Sequence, residues 1–359
     1  FEDTELDTWI GRVNNVELVE IPNDLKHFDC RNNRLALLAI NQDDFNSEIS
    51  RVCGQYGTPR IGLFLGTSTS GVHEAELAYR NRDRKSGSLP TSFDLHHTHL
   101  IHSVVEFIRE LLGLKGPSLA ISTACSSSAK VFAAASRHMH VGLCDAAIVG
   151  GVDSLCLSTL YGFNALQLIS PLPCQPWDID RKGINIGEGA GFVLLERDVA
   201  DKTSIALLGY GESSDAHHIT TPHPDGKGAA LAMERALQMA NLTDDVIDYV
   251  NLHGTATTSN DASEDAALRS VFDQIPPFSS TKGWTGHTLG AAGITEAIIA
   301  CQAIEHGFIP GTINTSQPDK QLSEGIVLES HDCPINTVLS NSFGFGGSNC
   351  SLIFGRNEP

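Results

Sequence analysis

Four stretches, far apart in the chain, carry side chains that could do acyl chemistry. In ISTACSSSA (121–129) an apolar, strand-like run stops at Cys125 and a small-residue helix begins at once. A thiol in that place faces the unpaired N–H groups and positive dipole end of the helix, which favour thiolate, the form that attacks a thioester or acyl carbon. Taken alone, the segment also fits a buried, inert cysteine. In LHGTATTSND (252–261) a strand delivers His253 to a Gly-Thr turn, and Thr255 and Thr257, two apart, can point the same way toward a polar ligand. A structural, hydrogen-bonding histidine is the alternative there.

STKGWTGHTLGAAGITEA (280–297) sets Lys282 and His287 ahead of a Gly/Ala-rich segment that allows close backbone approach, with Glu296 in the helix that follows. Buried together, Lys282 and Glu296 must pair, because an unpaired buried charge is costly. The glycines of NSFGFGGSN (341–349) free the backbone around Phe343 and Phe345 to aim N–H groups inward. Nucleotide binding is not expected: no Lys-Ser/Thr follows this loop, and the G-x-G-x-G at 187–191 precedes a strand, not a helix.

The elements around these groups alternate. RIGLFLGTS (60–68), SLAISTA (118–124), DAAIVGGV (145–152), DYVNLHG (248–254) and NTVLSNSFGFGG (336–347) read as strands ending in Gly, Ser or Asn. Between them, segments 100–114, 126–139, 228–241 and 293–307 have helical periodicity, so the fold class is α/β with active groups at strand ends. The Ala/Ser-rich stretch 127–139 suits a tightly packed central helix. GEGAGFVLLER (187–197) and SIALLGYG (204–211) look like two strands joined by a charged turn, and the seam between halves is placed at Asp201-Lys202-Thr203.

Composition excludes several classes. The 359 residues are 41% hydrophobic, with no apolar run long enough for a membrane span, so an ordinary globular protein is expected. Lys+Arg 24 against Asp+Glu 43 gives a net charge of −19, which repels phosphate backbones and anionic lipid. No nucleic-acid or membrane partner is expected. YRNRDRKSG (79–87) is the densest basic stretch, a solvated loop or the local patch that an acidic protein partner would need. Nine cysteines, an odd number without CxxC spacing, read as thiols in a reducing compartment, with the cytoplasm as the default. In LHHTHLIH (95–102), His99 and His102 are expected to share a helix face, but no Cys or carboxylate nearby completes a convincing metal set. No metal is expected there. The chain opens on Phe1, not Met, and a lost natural start is expected.

Together, TACSSSA, SSDAHHITTPHPDG (213–226), HGTAT, K-x3-GHTLGAAG and NSFGFGG, in this order, resemble the β-ketoacyl-acyl-carrier-protein synthases, the Cys-His-His condensing enzymes of the thiolase superfamily. The likeness runs from about residue 60 to the C-terminus. It implies a thiolase-like fold, two pseudo-symmetric halves (1–201 with the nucleophile, 202–359 with the histidines) in a layered αβαβα arrangement with buried central helices. It makes Cys125 the acyl-accepting nucleophile, His253 and His287 the pair serving decarboxylation, and Lys282 a structural and electrostatic partner held by Glu296. Thr220, Thr255 and Thr257 match positions that contact the phosphopantetheine arm. Phe345, with Phe343 beside it, matches the gating aromatic whose backbone N–H joins that of Cys125 in an oxyanion hole. His217, His218 and His223 read as pocket framework.

The implied reaction is decarboxylative condensation of an acyl group on Cys125 with malonyl-acyl carrier protein, in fatty acid, polyene or polyketide assembly. No cofactor is implied beyond the carrier's phosphopantetheine arm, which enters as substrate. The implied partners are acyl carrier protein and a second copy or a homologous subunit. A non-catalytic, chain-length-factor-like partner is the alternative, and the presence of Cys125, His253 and His287 counts against it. His287 likewise speaks against a degradative thiolase and a Cys-His-Asn priming synthase. Thr258 after HGTAT, where the family usually has Pro, and Gly283-Trp284 depart from the pattern. The family's usual opening strand and Gly-rich turn has no counterpart before Glu2. The Trp284 departure and the short N-terminus lean toward a specialised secondary pathway.

Overall fold

In the computed structural model of the chain, residues 4–197 and 204–356 are described. The apolar runs form two sheets. Strands β1 (Ile61–Gly66), β2 (Ser118–Ile121), β3 (Ala146–Asp153) and β4 (Gly189–Glu196) lie in the order β2-β1-β3-β4, the first three parallel and β4 antiparallel. Strands β5 (Ile205–Ser214), β6 (Tyr249–Asn251), β7 (Phe278–Ser279), β8 (Thr337–Gly344) and β9 (Ser348–Arg356) lie in the order β7-β6-β8-β9-β5. Here too three parallel strands meet one antiparallel strand, β9, and β5 then adds antiparallel on the far side. The repeated pattern defines two halves of like topology.

Successive residues of a strand face opposite ways, and both faces of these sheets are covered. That is why the runs are continuously apolar instead of alternating. Leu63 and Leu65 of β1 pack under the outer helices α1 (Arg31–Ile40) and α2 (Ser103–Leu111), while Phe64 turns inward to α3 (Ser127–His140). In the second half, α4 (Lys227–Ala240) and α5 (Thr258–Val271) cover Leu339 and Ile353, while Val338 and Leu352 face α6 (Ala292–His306). With α3 and α6 between the sheets, the layers run αβαβα, as the thiolase-like fold requires. The two central helices approach closely because their contact residues are small: a Cβ on Gly293 would sit 2.5 Å from the Ala129 nitrogen.

Two local expectations change. The helix expected over 100–114 spans Ser103–Leu111, and Leu95–His99 forms a separate π-helical turn capped by Asp94. His99 and His102 therefore do not share a helix face: the Asp94 carboxylate accepts from the His96 and His97 N–H groups, 3.0 Å each, to start the turn, and Leu100, extended at φ −61° and ψ 142°, ends it between the two histidines. β4 and β5 are strands, as expected, and they belong to the sheets of different halves. The division placed at residues 201–203 lies outside the described residues. Among the described residues, no helix is long and apolar enough to cross a membrane.

Candidate active site

Cys125 stands between β2 and α3, on a turn whose preceding residue, Ala124, has φ 52°. That left-handed conformation costs about 1–3 kcal/mol in a non-glycine residue. It is held by Ser127, whose hydroxyl accepts from the Thr123 N–H (2.9 Å) and donates to the Ala124 carbonyl (2.5 Å). The strained turn aims the sulfur away from the helix axis into an enclosed cavity.

His253 follows β6. Its own N–H and that of Gly254 both donate to the buried carboxylate of Glu264 on α5, 2.8 Å each, and the Asn341 side chain adds a third donor at 3.1 Å. Burial pushes Glu264 up to about 7 against the pull of these donors. His287 precedes the turn into α6, and there the Leu289 N–H donates to its Nδ1 (3.3 Å). A neutral imidazole that accepts at Nδ1 carries its proton on Nε2. This Nε2 lies 3.0 Å from the Cys125 sulfur. The two imidazole rings stand edge to face, centroids 5.4 Å apart.

Burial, reinforced by the nearby Lys282 ammonium, holds both histidines well below the ordinary imidazole value, so both are neutral at pH 7. The thiol differs from the sequence-based expectation. Burial pushes Cys125 up to about 12, although Lys282 and a hydrogen bond from the Phe345 backbone N–H both favour the thiolate. Enclosure of the sulfur outweighs the helix end, and the resting group is a thiol. Lys282 and Glu296 form a buried ion pair beside the cavity without lining it. Burial raises Glu296 to about 7, with Lys282 opposing.

Cys125, His253, His287, Phe343 and Phe345 line one cavity, together with Thr220, Thr255 and Thr257. Its apolar lining includes Phe163, Leu168 and Ile184, and the Phe163 ring lies 5.4 Å from that of Phe345. Gly344 is required between the two phenylalanines, since a Cβ there would sit 2.6 Å from the Thr123 carbonyl oxygen. The Gly346 N–H donates to the Ile219 carbonyl (2.7 Å), tying this loop to the one that carries Thr220. His218 Nδ1 accepts from the Thr220 and Thr221 N–H groups, a framework role. Thr255 and Thr257 hydroxyls bond each other at 3.0 Å, and Thr257 also caps α5.

One sulfur and two imidazole nitrogens within 4.8 Å of one another is a set that zinc could take. The Leu289 hydrogen bond opposes this, because ligation through His287 Nε2 needs the proton moved to Nδ1, against that N–H. The Lys282 charge adds repulsion. On the surface, carboxylates do flank the other histidines: Asp94 bonds His97 Nδ1 at 2.6 Å and Glu106 lies 3.9 Å from His96.

Two buried carboxylates at the site, Glu264 and Asp153, were missed from sequence. Asp153 had a signal, since it directly ends the apolar run DAAIVGGV, where α/β sheets present functional groups. Glu264 is one of three acidic residues in SNDASEDAAL, all of them buried, and nothing in that pattern says which one receives the His253 N–H.

A cavity shared by a thiol and two neutral imidazoles, set between two like halves of a layered αβαβα fold, places the chain among proteins of the thiolase-like fold. The beta-ketoacyl synthase N-terminal domain model matches residues 49–200 and the C-terminal domain model residues 205–316. The chain belongs to the beta-ketoacyl synthase family. It is 35% identical over 317 residues to 3-oxoacyl-acyl-carrier-protein synthase 2 of Vibrio cholerae, covering 83% of this chain and 76% of the relative. It is 42% identical over 262 residues to the mitochondrial 3-oxoacyl-acyl-carrier-protein synthase of Arabidopsis thaliana, covering 67% of this chain and 57% of that protein. The chain thus spans little more than half the length of the plant relative. Among solved structures, a chain of the ketosynthase–chain length factor complex from Xenorhabdus doucetiae matches with TM-score 0.87 and 37% identity, over 97% of this chain and 87% of that one. A beta-ketoacyl synthase from Burkholderia phymatum matches with TM-score 0.85 and 28% identity, over 94% and 85%.

Proposed function

We propose that the chain catalyses decarboxylative Claisen condensation between an acyl group held on Cys125 and a malonyl group on acyl carrier protein. The observation that carries this reading is the His287 Nε2 donor 3.0 Å from the Cys125 sulfur, with neutral His253 in the same cavity. In the first half-reaction the sulfur attacks the carrier thioester carbonyl. The new S–C bond forms, the carrier's C–S bond breaks, and the carrier thiol leaves with the proton that Cys125 gives up. The Cys125 and Phe345 N–H groups face the tetrahedral oxyanion, each such donor contributing about 3–4 kcal/mol.

In the second half-reaction the malonyl C–C bond breaks, CO2 leaves, and the electron pair becomes an enolate. Imidazole N–H groups of His253 and His287 receive its oxygen, which is why both rings must stay neutral yet carry a donor. The carbanion then attacks the waiting acyl carbon, and the sulfur departs as the chain grows by two carbons. This chemistry needs no bound cofactor, because the imidazole donors supply the electrophilic help. The phosphopantetheine arm enters as substrate, with Thr220, Thr255 and Thr257 offering it hydroxyls.

Residues 1–201 and 202–359 are read as the halves bringing thiol and imidazoles respectively, a division supported by the family models' boundary. Acyl carrier protein is the proposed partner, together with a second copy or a homologous subunit; the likeness to a ketosynthase–chain length factor complex supports the latter. A non-catalytic partner role is disfavoured by the convergence of all three reacting groups. The free thiols support a reducing compartment such as the cytoplasm.

The test is mass spectrometry after incubation with acyl-carrier substrates. The acyl mass is expected on the peptide containing Cys125 and is lost in Cys125→Ala. Acylation elsewhere, or condensation that persists in Cys125→Ala, overturns the reading.

A further inference from the structure

Asp153 ends β3 in the first half and is completely buried. Its Oδ1 accepts from the Ser68 and Thr69 N–H groups at 2.8 and 2.9 Å and from the Thr67 and Thr69 hydroxyls at 2.7 and 3.0 Å. Its Oδ2 accepts from the Ser68 hydroxyl and, at 2.6 Å, from the Gly290 N–H. Five of these donors belong to the loop after β1, in the same half. The sixth comes from the other half, three residues after His287.

The turn that Gly290 belongs to is strained, with Leu289 at φ 54°. Such a conformation persists only where its surroundings over-determine it, and the bond to Asp153 is a direct restraint on it. The strain has a use, since the same turn directs the Leu289 N–H at His287 Nδ1. We propose that Asp153 is a positioning residue for His287: by clamping the Leu289–Gly290 turn it fixes the ring proton on Nε2, the nitrogen that faces Cys125. Without the clamp the proton can move to Nδ1. Nε2 then presents a lone pair to the incoming thioester oxygen, and one enolate donor is lost. This rests on the proposed reading of His287 as a donor to the enolate. It deepens that reading by naming the group in the opposite half that sets the donor.

Asp153→Asn tests it. The amide can keep one oxygen toward the Thr67–Thr69 donors only by turning its NH2 at the Gly290 N–H, where two donors oppose. In ¹⁵N-histidine spectra, assigned with His287→Ala, the wild type is expected to show one fixed Nε2–H tautomer for His287 and Asp153→Asn an exchanging pair. The kcat for malonyl decarboxylation is expected to fall about tenfold or more, with KM for the malonyl carrier within threefold. Phe132→Leu, a core change between the sheets, controls for stability and is expected to leave the tautomer unchanged. A wild-type Nδ1–H, an unaltered tautomer in Asp153→Asn, or an equal kcat loss in Phe132→Leu overturns the proposal. Should Asp153→Asn not fold, Asp153→Glu displaces the carboxylate by one methylene and carries the same two readouts. If instead the tautomer responds as stated in a protein that never acylates Cys125, the functional reading fails and the link from Asp153 to His287 stands.

Discussion

The two halves use one topology for different chemistry. In each, the strand at the parallel edge of the sheet, β2 or β7, leads toward a buried central helix, α3 or α6. The first half places Cys125 at that junction and the second places Lys282 and His287. In each, the loop after the neighbouring parallel strand hands two consecutive N–H groups to a buried carboxylate: Ser68 and Thr69 to Asp153, and His253 and Gly254 to Glu264. The first half thereby holds its loop as framework, whereas the second uses the same device to present an imidazole. On the proposed reading one half supplies the nucleophile and the other the enolate donors, which makes the two half-reactions separable by mutation.

Removing the nucleophile has the largest expected effect. Cys125→Ala should lower condensation by about 10⁴-fold or more while malonyl decarboxylation, which depends on the second half, remains measurable. Radiometric CO2 release against product formation checks this, and loss of both together would break the division of labour. In the opposite direction, His253→Ala and His287→Ala should each lower decarboxylation by about 10²–10³-fold. Cys125 acylation, followed by intact-protein mass, should stay within about tenfold of wild type in both. A histidine variant that cannot be acylated assigns that ring to the first half-reaction instead.

Much of this division is legible in the sequence, for physical reasons. Strands buried on both faces are continuous apolar runs, so β1 and β3 stand out, and the small residues of α3 mark a helix packed on every side. Cys125 and His253 are legible because each follows a strand with glycine or alanine close by, and His287 because it stands in a Gly/Ala-rich run that permits close backbone approach. The thiol's resting state is not legible, because it depends on how completely the folded chain encloses one sulfur, and the helix-end argument by itself points the wrong way. Nor is the role of Asp153, whose sixth donor lies 137 positions away. LHHTHLIH misleads for a local reason: Asp94 caps a separate turn over Leu95–His99, and the extended backbone of Leu100 (φ −61°, ψ 142°) ends that turn before the helix begins at Ser103.

The buried ionisable groups of the second half predict a pH signature that its counterpart lacks. Glu264 rises from 4.5 to about 7 on folding, so the folded state binds more protons than the unfolded one between those values. Its stability contribution is full below about 4.5 and is lost as pH rises through about 7. The two histidines act oppositely, being depressed on folding. They contribute full stability above about 6.5, and this declines as pH falls below that value and the unfolded chain takes up protons. In Glu264→Gln the carboxyl contribution disappears. The urea midpoint should then rise more steeply with pH between about 4.5 and 6.5 than in wild type. An unchanged slope would show that Glu264 is not buried as a carboxyl. The depressed histidines should not titrate between about pH 8 and 6, so a limb near 7 in the decarboxylation profile would report Glu264 or Glu296 and should vanish when that carboxylate is replaced by its amide.

The smallest effect concerns the edges where the halves differ. β9 is flanked on its outer side by β5 along nearly its whole length, whereas β4, its topological counterpart, has no strand on its outer side among the described residues. Outward-pointing amides of an edge strand lack ladder partners and open locally at lower cost than those of an interior strand. Hydrogen exchange should therefore be faster at alternate residues of Gly189–Glu196 than at the matching residues of Ser348–Arg356, with the inward amides of both strands equally slow. Equal protection along the outer edge of β4 would mean that another chain or segment pairs there in solution. The four-against-five contrast would then belong to the isolated chain and not to the working protein.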